Sequence, residues 1–173
     1  DFYYFVDPPM DAKLSGSMTC KDGTSYDVNM TINETVPEKH PLKENDNMFV
    51  LESKGSISVY DDSEVPITES IISTEVYNEE GALSLMSDSD GIVCVAVESQ
   101  VVPEIVRVGD SGRIATLKCS DETKEEYSWS VSKYNKTIIA RQTVRIYDDN
   151  LDSFDVLTQE QTAKSMSLRG TVQ

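Results

Sequence analysis

The sequence predicts an all-β protein built as two β-sandwich domains in tandem. Two observations carry that prediction. Apolar and polar residues alternate with period two along most of the chain, and no segment carries the 3.6-residue spacing of an amphipathic helix. A cysteine-led unit also occurs twice: ten residues after Cys20 stands Met30, and ten after Cys119 stands Trp129.

The strands follow in order from parity, because successive side chains of a strand point to opposite faces. Leu14, Gly16, Met18 and Cys20 share one parity, which directs that cysteine into a core. Val28, Met30 and Ile32 alternate with Asn29, Thr31 and Asn33, so the asparagines face outward. Ile57 and Val59, then Leu83 and Leu85, mark further short strands. Ile92, Cys94 and Ala96 form an inward set, leaving Val93, Val95 and Val97 on the outer face. Ala115, Leu117 and Cys119 deliver a third cysteine inward, and in Tyr127–Ser132 aromatic or aliphatic residues alternate with serine. Segments 143–147 and 165–168 complete the set, and turn-rich clusters such as KDGT, YDDSEVP, NEEG and YDDNLDS separate the strands. Met30, Cys119 and Trp129 are the expected core anchors.

Composition narrows the function. A chain of 173 residues, 27% charged and 38% hydrophobic, suits one large or two small globular domains. No stretch approaches the ~20 apolar residues of a membrane-spanning helix. A net charge of -16 repels a phosphate backbone and anionic lipid, which argues against nucleic acid and membrane surfaces. The same field steers a basic protein partner toward the chain. Three isolated cysteines exclude a disulfide-dense mini-domain and a cysteine zinc cluster. Asn29, Asn33 and Asn135 each lie two residues before a threonine, the N-glycosylation signal, and point to an extracellular protein.

The spacing around Cys119, Tyr127 and Trp129 resembles the immunoglobulin superfamily, in which a strand-B cysteine precedes a strand-C tryptophan. Asp88-Ser89-Asp90-Gly91-Ile92-Val93-Cys94 resembles a degenerate D-x-G-x-Y-x-C signature of strand F, with Asp90 for the glycine and Ile92 for the tyrosine. The resemblance implies a first domain over residues 1–102, clamped by a Cys20–Cys94 disulfide. It implies a second over 103–173 that ends before its own strand F, leaving Cys119 without an obvious partner. In the alternative, Cys119 is free or pairs with Cys94, which breaks the two-domain reading.

Narrower still, FYYFVDPP and GSMTCKDGTSYDVNMTI are similar to the opening and strand B–C run of the second immunoglobulin domain in the platelet-derived growth factor, stem cell factor and vascular endothelial growth factor receptors. VRVGDSGRIATLKCSDETKEEYSW is similar to the start of the third, with Gly109 as the turn glycine before strand B. That likeness implies an extracellular fragment of a receptor tyrosine kinase, binding a dimeric, basic growth factor near the domain junction and so pairing two receptors. The alternative is an adhesion protein of the same fold with a partner on another cell. The expected contact residues are the outer row Val93, Val95 and Val97 and the linker Glu98, Ser99, Gln100, Val101 and Val102, with Pro103 restricting the hinge. A glycan on Asn29 is expected to shade the same face, since strand C neighbours strand F in this fold.

Enzyme readings fare worse. Gly109-Asp110-Ser111-Gly112 spells the surroundings of a serine-protease nucleophile, but a protease also needs a base held against the serine. The single histidine, His40, lies in the polar loop EKHPLKEN and is expected to be solvent-exposed. Asp61-Asp62, Asp88 with Asp90, and Asp148-Asp149 lack calcium-loop spacing and read as turn residues. The fragment is expected to be no enzyme and to need no metal or cofactor.

Overall fold

The alternating segments become strands because β-branched and aromatic residues of one parity can be buried together while Ser, Thr and Asn of the other stay hydrated. The computed structural model of the chain describes residues 2–4, 11–19, 23–38, 40–42, 47–60, 65–103, 105–148, 153–162 and 166–172, with side chains described only within 11–147. The strands are β1 (Phe2–Tyr4), β2 (Asp11–Thr19), β3 (Ser25–Thr35), β4 (Phe49–Tyr60), β5 (Ile67–Tyr77), β6 (Leu83–Asp88) and β7 (Val93–Ser99). They continue as β8 (Ile105–Arg107), β9 (Ser111–Cys119), β10 (Thr123–Tyr134), β11 (Thr137–Asp148), β12 (Ser153–Thr162) and β13 (Met166–Val172). The protein is all-β, with no helix among the described residues.

Eleven strands form one hydrogen-bonded ring in the order β10-β11-β12-β13-β2-β3-β4-β5-β6-β7-β9, closing back on β10. Neighbours are antiparallel except β13 and β2, which run parallel. Strands β1 and β8 pair as a separate ribbon. The expected division between residues 102 and 103 is crossed by three strand pairings: β7 with β9, β13 with β2, and β1 with β8. Closure explains the first two, since a ring leaves none of its strands with an unpaired edge.

Among the described residues, apolar side chains gather in three clusters. One gathers Leu83, Cys94, Ala115, Leu117, Cys119 and Tyr127. A second sets Val106 of β8 against Trp129, Val131 and Ala140. The third joins Leu14 to Val28, with Met30 partly buried against them. Trp129 and Cys119 are therefore core residues as expected, at 7% and 5% exposure, and Met30 packs at a core margin.

The expected Cys20–Cys94 bridge is corrected. Cys94 bonds Cys119, the residue directly opposite it on the neighbouring strand. The reason is register: β7 and β9 pair side by side, so the two inward cysteines face each other, whereas the sandwich reading placed them in different domains. Cys20 itself lies outside the described residues.

The GDSG segment is a turn. Gly109 takes φ +101°, a left-handed conformation that glycine adopts without steric cost, and its N–H donates to the Val131 carbonyl at 2.9 Å. The Arg107 N–H donates to the Asp110 carboxylate at 2.7 Å, and the Val131 N–H to the Asp110 carbonyl at 2.9 Å. Two residues on, Gly112 lies under the Trp129 indole, where an added Cβ would stand 2.8 Å from Nε1. Gly112→Ala is accordingly expected to lower stability by about 1–3 kcal/mol through overpacking. A denaturant midpoint equal to wild type would show that the indole moves aside freely.

Candidate functional site

The valine row sits where parity places it. Val93, Val95 and Val97 are 39%, 51% and 62% exposed, while Cys94 between them is buried and Ile92 and Ala96 pack against its cluster. On the outer face Val95 stands between Leu85 of β6 and Lys118 of β9. The pairing of β7 with β9 shifts register between Ala96 and Glu98, and Val97 is the residue at that irregularity. A bulge turns its side chain out further than a regular strand position. Val101 and Ile105 are exposed as well, at 50% and 53%.

The expected linker begins as strand and leaves it after Ser99. Glu98 and Ser99 belong to β7, paired with Thr116 and Ala115, and the Gln100 N–H donates to the Ile114 carbonyl at 2.8 Å. Glu98 also pairs with Arg113 at 2.5 Å, with both side chains well exposed. Val102 turns in against the Trp129 cluster while Val101 stays out. A linker with its hinge restricted by Pro103 was expected, and ladder bonds to β9 hold its first half, Glu98 to Gln100.

Acidic turns flank the Val93 end of the row. The Ser120 N–H donates to the Val93 carbonyl at 2.9 Å, and the Val93 N–H to Ser120 Oγ at 3.1 Å, which sets the exposed Asp121 and Glu122 alongside. The Thr123 hydroxyl donates to Asp121 and holds its carboxyl below the usual range. Asp88 accepts the N–H groups of Asp90 and Ile92 at 2.9 and 3.0 Å, the turn role expected of it. Asp61, Asp62 and Asp149 lie outside the described residues, and Asp148 ends β11.

All three sequon asparagines are exposed. Asn29 and Asn33 lie on the outer parity of β3, and Asn135 occupies the tip of the β10–β11 hairpin with φ +55°. The expected shading of the valine row by Asn29 is corrected, because β4, β5 and β6 separate β3 from β7 in the ring. The wall that carries Asn29 and Asn33 and the wall that carries the valines are different surfaces.

Beneath the valine row lies a feature that parity contained but residue type concealed. Glu75 and Glu125 point to the same inner side as Cys94, since Glu75 is opposite Met86, which is opposite Cys94, and Glu125 is opposite the buried Leu117. Each receives a hydroxyl from the tyrosine two residues on: Tyr77 donates to Glu75, and Tyr127 to Glu125 at 2.7 Å. Tyr127 Oη also lies 3.5 Å from Met86 Sδ, which brings the two pairs together across the interior. Burial pushes both carboxyls up, more strongly than the tyrosine hydrogen bonds pull them down. It pushes both tyrosine hydroxyls up as well, with the neighbouring glutamates adding to the effect. An E-x-Y spacing on two inward strands was the available signal.

No catalytic constellation accompanies these groups among the described residues. His40 is half-buried rather than exposed, because its Nδ1 accepts the Leu42 N–H at 3.2 Å and its Nε2 lies 3.4 Å from Glu52. Ser111 opens β9 opposite Ser130, on an exposed strand end. Cys94, Cys119 and Glu125 present ligand-type atoms within 4.8 Å of one another, but the disulfide occupies both sulfurs. Comparison of the chain with protein-family models, with curated proteins and with solved structures finds no match.

Proposed function

We propose that this chain is the ligand-binding part of an extracellular receptor and uses the Val93–Val95–Val97 row as its contact surface for a basic, dimeric protein of growth-factor type. The exposed apolar row carries the reading: three valines on one outer strand face. Apolar residues in such a row gain free energy when a partner covers them, and an apolar centre with a charged rim is the usual anatomy of a protein interface. The acidic turns and the net charge of -16 select a partner of opposite sign and speed its approach. The disulfide suits an oxidising compartment, and the likeness of the Cys119–Trp129 segment to immunoglobulin domains of growth factor receptors supplies the receptor class.

Val95→Asp and Val97→Asp place a charge in the centre of the row without touching the core. Each is expected to weaken binding to a captured basic dimeric growth factor at least tenfold in surface plasmon resonance, with the thermal midpoint unchanged. Binding that ignores both substitutions sinks the assignment of the face. Self-association of the chain that Val95→Asp abolishes, with no growth factor bound, favours the adhesion alternative instead.

A further inference from the structure

The outer wall formed by β2, β3, β4 and β5 differs in kind from the valine wall. Across it Ser15, Asn29, Ser58 and Thr68 stand side by side, and Lys13, Thr31, Ser56 and Ser70 make the next row. Apart from Lys13 these side chains are short and polar: Ser58 and Thr68 share a 2.9 Å hydroxyl contact, as Thr31 and Ser56 do at 3.1 Å. Asn29 is exposed in the middle of this wall, with a serine on either side and no large neighbour across the ladder. An open pocket of about 500 Å³ lies beside it, lined by Ser15, Gly16, Asp27, Val28, Asn29 and Tyr60. Tyr60 is opposite Asp27 and 40% exposed, a large aromatic ring presented to water at the pocket's edge.

We propose that Asn29 carries an N-linked glycan whose first N-acetylglucosamine seats in this pocket, with its apolar face on the Tyr60 ring. The Asn29–Met30–Thr31 signal supplies the acceptor, and the pocket supplies a place for the sugar that a bare sequon lacks. In the transfer, the Asn29 amide nitrogen bonds to C1 of the sugar of a polyprenyl-diphosphate-linked oligosaccharide. The C1–oxygen bond to the diphosphate breaks, the amide proton is lost, and nothing is oxidised or reduced. The Thr31 hydroxyl is engaged by Ser56 in the folded sheet, so transfer occurs on the strand before β3 and β4 pair. Asn33 lies four residues along, roughly 13 Å away at the rise of a strand, far enough to carry a second sugar without collision. Glycans here close the Ser/Thr wall to partners and leave the valine row bare. The inference shares with the receptor reading only its extracellular setting.

The test is secretion of the full chain from a eukaryotic host. Peptide mapping after amidase treatment is expected to find Asn29 converted to aspartate, and Asn29→Gln to lose one glycan's mass. Trimming to the single first sugar is expected to leave the thermal midpoint where it was, whereas secreted Asn29→Gln melts about 2–4 °C lower. Tyr60→Ala is expected to erase that difference. Unglycosylated protein from a bacterial host controls for the asparagine itself, with wild type and Asn29→Gln melting together. An unmodified Asn29, or a midpoint indifferent to the first sugar while Tyr60 is intact, overturns the proposal. Either result leaves the ligand assay on Val95 unaffected, so the two ideas fail separately.

Discussion

Replacing Cys94 and Cys119 by alanine is expected to lower the unfolding free energy by about 3.5 kcal/mol, the denatured-state entropy released when a loop of this length is no longer closed. The loop spans a sequence separation of 25 residues, from the middle of β7 to the end of β9. Both sulfurs lie in the cluster built around Leu117, so truncation also leaves space in a packed core and adds to the loss. Guanidinium unfolding of the double variant checks the figure, and reduction of the wild type with a thiol in denaturant gives the same comparison without substitution. Cys20→Ala serves as the control. If Cys20→Ala costs as much as the double variant while Cys119→Ala costs little, the disulfide is the Cys20–Cys94 bridge after all.

The pairing shows what the amino-acid pattern carries and what it lacks. Period-two alternation was enough to place Trp129, Leu117, Cys119 and the valine row on their correct faces, because parity is a property of a few neighbouring residues. Which inward cysteine meets which depends on strands brought together from far apart, and no local pattern records that β7 lies beside β9. With three cysteines three pairings exist, and the resemblance to a two-sheet sandwich selected the one that the ring closure removes. The same limit applies to the β13–β2 contact, a parallel pairing between segments at opposite ends of the chain. The GDSG turn was legible because Arg107 and Asp110, near neighbours in the chain, close it with reciprocal bonds, the Arg107 N–H to the Asp110 carboxylate and the Asp110 N–H to the Arg107 carbonyl. The acidic pair was not, since nothing local marks Glu75 and Glu125 as inward until strand register places them opposite Met86 and Leu117.

Those two glutamates make stability fall as pH rises. Both carboxyls titrate higher in the folded protein than in the unfolded chain, with burial as the main cause. Well below pH ~4, both states hold the protons and no stability is lost. Above that, the unfolded chain sheds protons that the folded protein keeps, so stability declines until the pH passes the folded values, and then levels. The charged groups acting on the cluster reinforce this direction: Asp121 and Asp88 raise Glu125, and Glu34 adds to the pressure on Tyr77. Asp121 and Glu126 act oppositely at the acid end, where Thr123 and Lys124 hold them below the usual range and their protonation removes stability. Self-repulsion among the surface carboxylates also grows with pH, so the wild-type curve alone does not isolate the cluster. The Glu75→Gln, Glu125→Gln double variant does, because its surface charge outside the cluster is unchanged and its buried amides do not titrate. Denaturant midpoints measured from pH 4.5 to 8 are expected to fall more steeply for wild type than for the double variant, with the two curves closest at the acid end. Tyr127→Phe, which leaves the Glu125 carboxyl without its hydroxyl donor, is expected to cost about 1–3 kcal/mol in the same assay, the usual loss for a buried polar group left unmatched. Parallel curves for wild type and the double variant would mean that water reaches both carboxyls and that the tyrosines, not the protons, hold the cluster together.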